Sequence, residues 1–282
     1  MSLDAEAFAN RPFPALSQSQ RYHLEVNGYV ILENNLTSDE TGRYYEAMKR
    51  LDHDFKNCDD PANATIRGCR RDVNCSDHHI HFNHILEAEP EFLEYVTHPN
   101  IVAPCEELLG GEVRYEESEA IINSRLPEVP DKVEGFHLGT RHGYGTYIEN
   151  GLFHCHLVKC ITNLTDLGPD DGGTCVIAGS HKLDIPQGSM ISAAREDPSL
   201  IHQVIAPAGS TLLFSESLVH ATGPIRSDNE RCIIIAGFVP PFLQAWNGQE
   251  PSEEFLETVP EHLRDLLSGA KRYNWKRQFR SL

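Results

Sequence analysis

A histidine and an arginine lie eleven residues apart in residues 210–237, a segment with the pattern of a strand, a turn and a second strand. Neutral imidazole, as in His220, is a common ligand of divalent iron. A guanidinium group, as in Arg231, can hold a carboxylate through two hydrogen bonds. The pair could therefore bind a metal ion and an organic anion side by side. The alternative interpretation is a partly buried strand histidine and an exposed surface arginine.

A second group of histidines lies upstream, in residues 137–156. His154 and His156 alternate along an apolar run, so they should face the same side of a strand. The intervening Cys155 then faces the other side, which argues against a zinc site built from these residues. Four more histidines, within residues 78–84, lack a convincing ligand spacing and are predicted to be surface or packing residues.

The strands that would carry these side chains are predicted from short β-rich runs separated by Gly, Pro and Asp clusters. The runs are residues 113–124, 152–164, 173–177, 203–205, 210–219 and 231–239. Many short strands with turns between them indicate a mainly β sandwich or barrel of the jelly-roll kind. Asp166, Asp170 and Asp171, which precede two glycines, are predicted to form turns rather than a carboxylate pair for acid–base chemistry.

The first third of the chain has a different, mostly helical pattern. Thr37 and Glu40 have the spacing of a capping box, and apolar residues then recur at helical spacing. Further predicted elements are a strand over 27–33, a long loop or insertion over 52–80, short helices over 91–96 and 101–110, and a terminal helix over 252–268. We predict one domain over residues 1–282, with a helical layer (1–111), a jelly-roll core (112–240) and a C-terminal helical extension (241–282).

Composition narrows the class of protein. The chain has 282 residues and a formal net charge of −18, which argues against a nucleic-acid partner because phosphate binding needs a basic surface. It has no apolar run approaching the ~20 residues of a membrane span and no basic, apolar leader at its start. Its eight cysteines form no C-x-x-C motif. We therefore expect a cytoplasmic protein with free thiols and no membrane partner.

The central region resembles a known family. The run Leu164-Thr-Asp-Leu-Gly-Pro-Asp-Asp-Gly-Gly173, a short strand, and then Gly179-Ser-His-Lys182 are similar to the phytanoyl-CoA dioxygenase family over roughly residues 20–240. Ala178 departs from the proline usual there. The resemblance implies a double-stranded β-helix that binds Fe(II) and 2-oxoglutarate.

The resemblance also implies roles for individual residues. His137 and His220 match the iron-binding histidines, Arg231 the arginine that pairs with the far carboxylate of 2-oxoglutarate, and Thr222 a hydroxyl that touches this cosubstrate. His181 matches a structural histidine in a turn. Arg125 and Lys159 flank apolar runs and could hold the near carboxylate or an acidic substrate; the alternative is a buried stem with its charge at the surface.

Gly139 is the main departure from the family pattern, which has a carboxylate two residues after the first histidine. The 2-His-1-carboxylate triad uses that carboxylate to hold iron, and glycine supplies no ligand. Three explanations remain open. Another side chain fills the position, with Glu134, His142, His154 and His156 as candidates; the position takes water or a halide, as in the iron halogenases; or the site no longer binds iron productively. Similar oxygenase-like proteins also have His-x-Gly, so the glycine alone does not indicate halogenation.

The predicted function is an Fe(II)- and 2-oxoglutarate-dependent dioxygenase that hydroxylates an unactivated C–H bond of a small molecule with O₂. Two other classes fit parts of the sequence. An iron halogenase would use a vacant position at Gly139, and a non-catalytic jelly-roll binding protein would not turn over 2-oxoglutarate at all.

Overall fold

The computed structural model describes residues 4–244, 246, 248–269 and 273–275. Helices lie mainly in the first and last parts of the chain. They are α1 (Ala5–Ala9), α2 (Gln18–Asn27), α3 (Ser38–Lys56), α4 (Pro90–Val96), α5 (Pro99–Leu109), α6 (His142–Gly145), α7 (Gln187–Glu196), α8 (Glu253–Thr258) and α9 (Glu261–Ser268), with single 3-10 turns at Ile85–Glu87, Ser180–Lys182 and Pro198–Leu200.

In the described part of the chain, four short strands lie among the helices of the first part, and the other nine follow α5. They are β1 (Tyr29–Leu32), β2 (Thr65–Ile66), β3 (Cys69–Arg71), β4 (His79–Asn83), β5 (Arg114–Asn123), β6 (Thr146–Glu149), β7 (Leu152–Cys155), β8 (Val158–Asn163), β9 (Thr174–Ile177), β10 (Ile201–Gln203), β11 (Thr211–Ser215), β12 (His220–Thr222) and β13 (Arg231–Val239).

A large antiparallel sheet dominates the fold. It has eight strands in the order β1-β11-β8-β13-β5-β4-β3-β2, and every neighbouring pair is antiparallel. A second sheet has the order β10-β9-β12, and β6 pairs with β7 in a hairpin. The predicted mainly β class is confirmed.

Strand β13 is buried on both faces of the large sheet. Cys232 and Ile234 pack into the main core with residues of α3, α5 and α9. Ile233 and Ile235 belong to a second cluster, which includes Val176 of β9. Because successive strand residues point to opposite faces, Arg231 lies on the same face as Ile233 and Ile235, toward the second sheet.

The start of helix α3 is stabilised by a capping box that is visible in the sequence. Thr37 Oγ1 accepts a hydrogen bond from the Glu40 backbone at 3.2 Å, and the Glu40 carboxylate accepts one from the Thr37 backbone at 2.9 Å. The predicted capping box is therefore confirmed. The helix that follows buries Met48, Leu51 and Phe55 completely in the main core.

Three predicted elements differ from the structure. The loop predicted over 52–80 begins as the end of α3 and then adds β2 and β3 to the large sheet. The strand predicted over 152–164 is two strands, because β7 pairs with β6 whereas β8 pairs in the large sheet. The helix predicted over 252–268 is divided into α8 and α9 at Pro260, whose ring forces the preceding Val259 into an extended conformation.

Two further expectations concern the membrane and the thiols. No helix among the described residues is both long and apolar enough to cross a bilayer. All eight cysteines are free, as predicted.

Candidate active site

The two histidines predicted to bind metal lie next to each other. His137 donates its backbone N–H to the His220 carbonyl at 2.9 Å, and His220 donates to the His137 carbonyl at 2.9 Å. Their ring centroids are 4.3 Å apart. The pairing extends the small sheet, since His220 faces Val176 of β9 on its other side. Distant parts of the sequence therefore meet at one strand edge.

Backbone carbonyls fix the protonation pattern of both rings. His220 Nδ1 lies 2.8 Å from the Leu218 oxygen, and His137 Nδ1 lies 3.0 Å from the Gly135 oxygen. A carbonyl only accepts, so each Nδ1 carries the proton and each Nε2 keeps a free lone pair. Burial lowers the pKa of His220 to about 4, which keeps the ring neutral at physiological pH. Histidines that bind metal are usually held in this way.

Gly139 lies against the side chain of Glu216, a residue that the sequence analysis missed. The backbone N–H groups of Gly139 and Thr140 both donate to the Glu216 carbonyl, at 2.9 and 3.1 Å. A Cβ added to Gly139 would overlap Glu216 Oε2 and lie 3.0 Å from its Cδ. Glu216 is only 2% exposed. Its carboxylate therefore occupies the space that a side chain at position 139 would enter.

Glu216 belongs to a buried charged group. Lys159 Nζ lies 3.5 Å from Glu216 Oε1 and 3.2 Å from Glu117 Oε1. Burial alone would lower the pKa of Lys159, but the attraction of Glu216 and Glu117 outweighs it and raises that pKa. Burial also raises the pKa of Glu117, to about 7. Lys159 is therefore a charged residue held by two carboxylates of the protein.

The four side chains considered as replacements for the missing ligand have other contacts, and none is among the atoms nearest to a Cβ at Gly139. The three atoms nearest to a Cβ at Gly139 all belong to Glu216. His154 is buried against helix α5, where its Nδ1 lies 3.0 Å from the Leu108 oxygen. His142 Nδ1 lies 2.7 Å from Thr146 Oγ1. His156 packs on the Tyr147 ring at 5.1 Å, and Glu134 is exposed.

The side chains of His137, His220 and Glu216 do not converge on one point. Among the residues that the structure describes, no three His, Cys, Asp or Glu side chains are close enough together to hold a metal ion. The two imidazoles approach each other, while the Glu216 carboxylate points toward Lys159.

Arg231 is a buried cation with no carboxylate partner among the residues that the structure describes. It is 2% exposed, and its Nη2 donates to Thr174 Oγ1 at 3.1 Å. With the Asn123 amide oriented to satisfy its neighbours, the Asn123 oxygen accepts from Arg231 Nη1 at 3.2 Å. Its Nε has no hydrogen-bond partner in the described part of the chain. Burial lowers its pKa to about 10, still well above neutrality. A buried unpaired charge is costly, so the site favours an anionic ligand.

Arg231 projects from β13 of the large sheet and contacts the small sheet near His220. Thr174, which contacts Arg231, pairs with Thr222, and Val176 pairs with His220. Two residues along a strand correspond to about 7 Å. Thr222 is exposed and lines a cavity of about 300 Å³ that also contacts Asn123. A second cavity, of about 400 Å³, is lined by Leu138, His142 and Ser217.

Arg125 lies apart from these groups. Its side chain is 52% exposed and pairs with Asp228 at 3.4 Å. Neither this arginine nor Lys159, which has two carboxylate partners, has the features that distinguish Arg231.

The remaining predicted residues have structural contacts. His181 is fully buried in a 3-10 turn, with its ring 4.7 Å from that of Phe153. Asp171 accepts hydrogen bonds from Gly168 and Ser227, as expected of a turn residue. The histidines of residues 78–84 contact polar neighbours: His78 contacts Ser124, His79 contacts Asn123, His81 contacts Glu119 and His84 contacts Glu87.

Several solved structures are similar in fold. HygX from Streptomyces hygroscopicus, solved with nickel and 2-oxoglutarate bound, matches with a TM-score of 0.63, 18% identity, and coverage of 82% of this chain and 90% of that one. The carbocyclase SnoK of nogalamycin biosynthesis matches with a TM-score of 0.60 and 16% identity, over 79% of this chain and 84% of that one. The epimerase SnoN gives 0.56 and 18%, over 84% and 82%. Both Sno proteins are described as non-heme and α-ketoglutarate dependent.

The sequence itself matches a family model. A comparison with curated proteins finds no match. The family described as phytanoyl-CoA dioxygenase matches residues 24–233. This match spans more than half of the 282 residues. The chain therefore belongs to the phytanoyl-CoA dioxygenase family of Fe(II)- and 2-oxoglutarate-dependent oxygenases.

Proposed function

We propose that this protein hydroxylates an unactivated C–H bond of a small molecule, using Fe(II), 2-oxoglutarate and O₂. One observation carries the proposal. Arg231 is a buried guanidinium without a carboxylate partner in the described residues, and it donates to Thr174, which lies two residues along β9 from Val176, the partner of His220. The Nδ1 atoms of His220 and His137 lie against backbone carbonyls, which leaves their Nε2 atoms available to a metal ion. This combination suits a metal ion and a dicarboxylate bound together.

The residues fit both cofactors of the family. His137 and His220 would hold Fe(II) through Nε2, because their Nδ1 atoms are engaged by carbonyls. Arg231 would hold the far carboxylate of 2-oxoglutarate, since its Nε lacks a partner and a guanidinium can donate two parallel hydrogen bonds. When bound, Fe(II) would activate O₂, and the conversion of 2-oxoglutarate to succinate and CO₂ would supply two of the four electrons that reduce O₂, with the substrate C–H bond supplying the other two.

The protein's own contribution would be to orient these groups and to shield His220 and Arg231 from water, whereas His137 is exposed. The Phe214 ring lies 4.7 Å from the His220 ring, and Ile233 and Ile235 cover the same side of the large sheet. Electrostatic and hydrogen-bonding contacts are stronger in such a dry region than in water. The Thr222 hydroxyl lies near the mouth of the site, where it can contact the cosubstrate.

The substrate would enter from the side of the second cavity. Leu138 and Ser217, which line it, are sequence neighbours of Gly139 and Glu216, so this space of about 400 Å³ adjoins the histidine pair. A pocket of this size suits a small molecule rather than a polymer. Its polar and apolar lining residues would select the C–H bond presented to the metal.

The architecture supports finer assignments within the same proposal. We infer that the two facing sheets form a double-stranded β-helix, that residues 1–282 form one domain, and that the protein acts in the cytoplasm. The first inference rests on the apolar cluster shared by β9 and the large sheet. The second rests on the main core, which runs from Leu16 to Leu267.

The halogenase alternative loses its main support. It requires that no protein carboxylate be available beside Gly139, and the side chain of Glu216 lies against that glycine. The non-catalytic alternative predicts no turnover of 2-oxoglutarate, whereas the proposed function requires it.

The test is 2-oxoglutarate-dependent succinate formation with Fe(II) in air, compared between the wild type and His220→Ala. We expect succinate from the wild type, with or without a primary substrate, and a loss of more than about 100-fold in the variant. With ¹⁸O₂ and a substrate that stimulates turnover, the product should gain one labelled oxygen. No succinate from a folded, Fe(II)-loaded wild type would favour the binding-protein class.

A further inference from the structure

We propose that Glu216 supplies the metal-binding carboxylate that glycine at position 139 cannot provide. The ligand set would then be His137, Glu216 and His220, with the carboxylate four residues before the second histidine. This inference rests on the proposed function, because it assumes that a divalent cation binds to the two histidines. It also explains why a glycine is tolerated at the position.

The strongest support is the volume that Glu216 occupies. A Cβ at Gly139 would overlap Glu216 Oε2, and Glu216 Cδ and Cβ lie 3.0 and 3.3 Å from it. A carboxylate from position 139 and the existing carboxylate would therefore compete for the same space. One of the two can be present, and in this chain it is the one from Glu216.

The backbone holds Glu216 in place beside the first histidine. Its carbonyl accepts from Gly139 and Thr140, and its own N–H donates to the Leu157 carbonyl at 3.1 Å. The Leu218 N–H donates to the Ser215 carbonyl at 2.9 Å, which closes a turn between strands β11 and β12. This turn places Glu216 and His220 on one short segment, so the segment can present two ligands together.

The charges nearby leave the Glu216 carboxylate available. Its Oε1 is buried without a hydrogen-bond partner among the described residues. Its ion pair with Lys159 is long, at 3.5 Å, whereas Lys159 lies 3.2 Å from Glu117. If Glu216 rotates toward the metal, Lys159 keeps Glu117 as its counter-ion. The movement therefore leaves no buried cation unpaired, which would otherwise oppose it.

The rotation is required because the three side chains do not converge in the described structure. When a cation binds between the two imidazoles, its positive charge attracts the Glu216 carboxylate and drives this rotation. A carboxylate is a hard oxygen ligand suited to Fe(II) beside two histidines. A third protein ligand at this place leaves no open position there for a halide, which favours oxygenase chemistry.

The experiment moves the carboxylate from one position to the other and measures metal binding directly. Co(II) and Fe(II) affinities are determined anaerobically by calorimetry, without 2-oxoglutarate, for the wild type, Glu216→Gln, Glu216→Ala, Gly139→Asp and Gly139→Asp with Glu216→Ala. The matched control is Glu106→Gln, which removes a buried carboxylate that pairs with Arg11 and takes no part in the Lys159 group. Circular dichroism and thermal unfolding show that each variant is folded.

We expect Glu216→Gln and Glu216→Ala to weaken Co(II) binding by more than about 100-fold, since loss of an outer-sphere partner alone costs 10–100-fold. The control should remain within about threefold of the wild type. The double variant should recover affinity to within about tenfold of the wild type, because the introduced aspartate then enters the space vacated by the glutamate.

The outcomes separate this inference from the proposed function. Wild-type affinity in folded Glu216→Ala, or a folded double variant that regains none, would overturn the role of Glu216. If His220→Ala abolishes metal binding in that case, the proposed function stands. A wild type that binds neither Co(II) nor Fe(II) would instead contradict the proposed function itself.

Discussion

Arg231→Ala gives the sharpest prediction about cosubstrate binding. The guanidinium is 2% exposed, and no carboxylate in the described residues lies within ion-pair distance of it. The far carboxylate of 2-oxoglutarate would therefore be its main counter-charge. Removing one partner of a buried, hydrogen-bonded charge pair costs about 2–5 kcal/mol. At about 1.4 kcal/mol per tenfold, the Kd of 2-oxoglutarate should rise by about 30-fold to several thousand-fold.

Arg231→Ala should weaken the binding of 2-oxoglutarate and leave metal binding nearly unchanged. Metal affinity should change by less than about threefold, because Arg231 contacts Thr174, which is two residues along β9 from Val176, the partner of His220. Arg231→Lys should fall between the wild type and alanine, since an ammonium group cannot replace two parallel guanidinium hydrogen bonds. In the ligand-free protein the buried Arg231 charge lacks a counter-ion, and such a charge is itself destabilising. Its removal should therefore lower the Tm of the ligand-free protein by only a few degrees.

The assay is calorimetry of 2-oxoglutarate binding to the Co(II)-loaded protein, with Arg125→Ala as the matched control. Arg125 is half exposed and paired with Asp228, so its removal should leave the Kd unchanged within about twofold. Unchanged affinity in Arg231→Ala would refute the assignment of the anion site. A large loss in Arg125→Ala would instead restore the other arginine as a cosubstrate ligand.

Three further predictions concern the metal site and acid stability. His137→Ala and His220→Ala should each abolish tight Co(II) binding, whereas His142→Ala should retain it; the reverse pattern would show that the wrong histidine was assigned. Gly139→Asp alone should reduce succinate formation at least tenfold and lower Tm, because its side chain overlaps the buried glutamate beside it; unchanged turnover and Tm would contradict this. Burial lowers the pKa of His154 from 6.5 to about 4, so the unfolded chain binds more protons and stability should decline as pH falls from 6.5 toward 4. His154→Gln should flatten that decline in urea denaturation at several pH values, and an unchanged slope would exclude this histidine as its cause.

Features set by local sequence were predicted well. The capping box at Thr37 and Glu40 depends only on residues three positions apart, and both of its hydrogen bonds are present. The strand from Arg231 to Val239 was predicted with its observed limits, because an unbroken apolar run in a central strand is buried on both faces. Arg231 and His220 could be selected because their residue types and spacing also match a family pattern.

Features set by contacts between distant segments were not predicted. The carboxylate beside Gly139 comes from Glu216, which the sequence analysis included in a continuous run over 210–219. The structure ends strand β11 at Ser215, and the turn that follows places Glu216 against the glycine. Lys159 was predicted as an anion ligand because its two acidic partners could not be identified from the sequence: Glu117 is on β5 and Glu216 is in the turn after β11. The signal that could have pointed to Glu216 was its position four residues before His220, together with the glycine at position 139 where the family has a carboxylate.

The most direct test of the account is an anaerobic crystal structure with Fe(II) and 2-oxoglutarate. The account predicts one metal ion bound by Nε2 of His137, Nε2 of His220 and a carboxylate oxygen of Glu216, with the far carboxylate of 2-oxoglutarate on Arg231. Iron bound elsewhere, or 2-oxoglutarate bound without contact to Arg231, would contradict the central claim. Iron on the two histidines with water or a halide in place of Glu216 would refute the role of the glutamate and leave the two-histidine site intact.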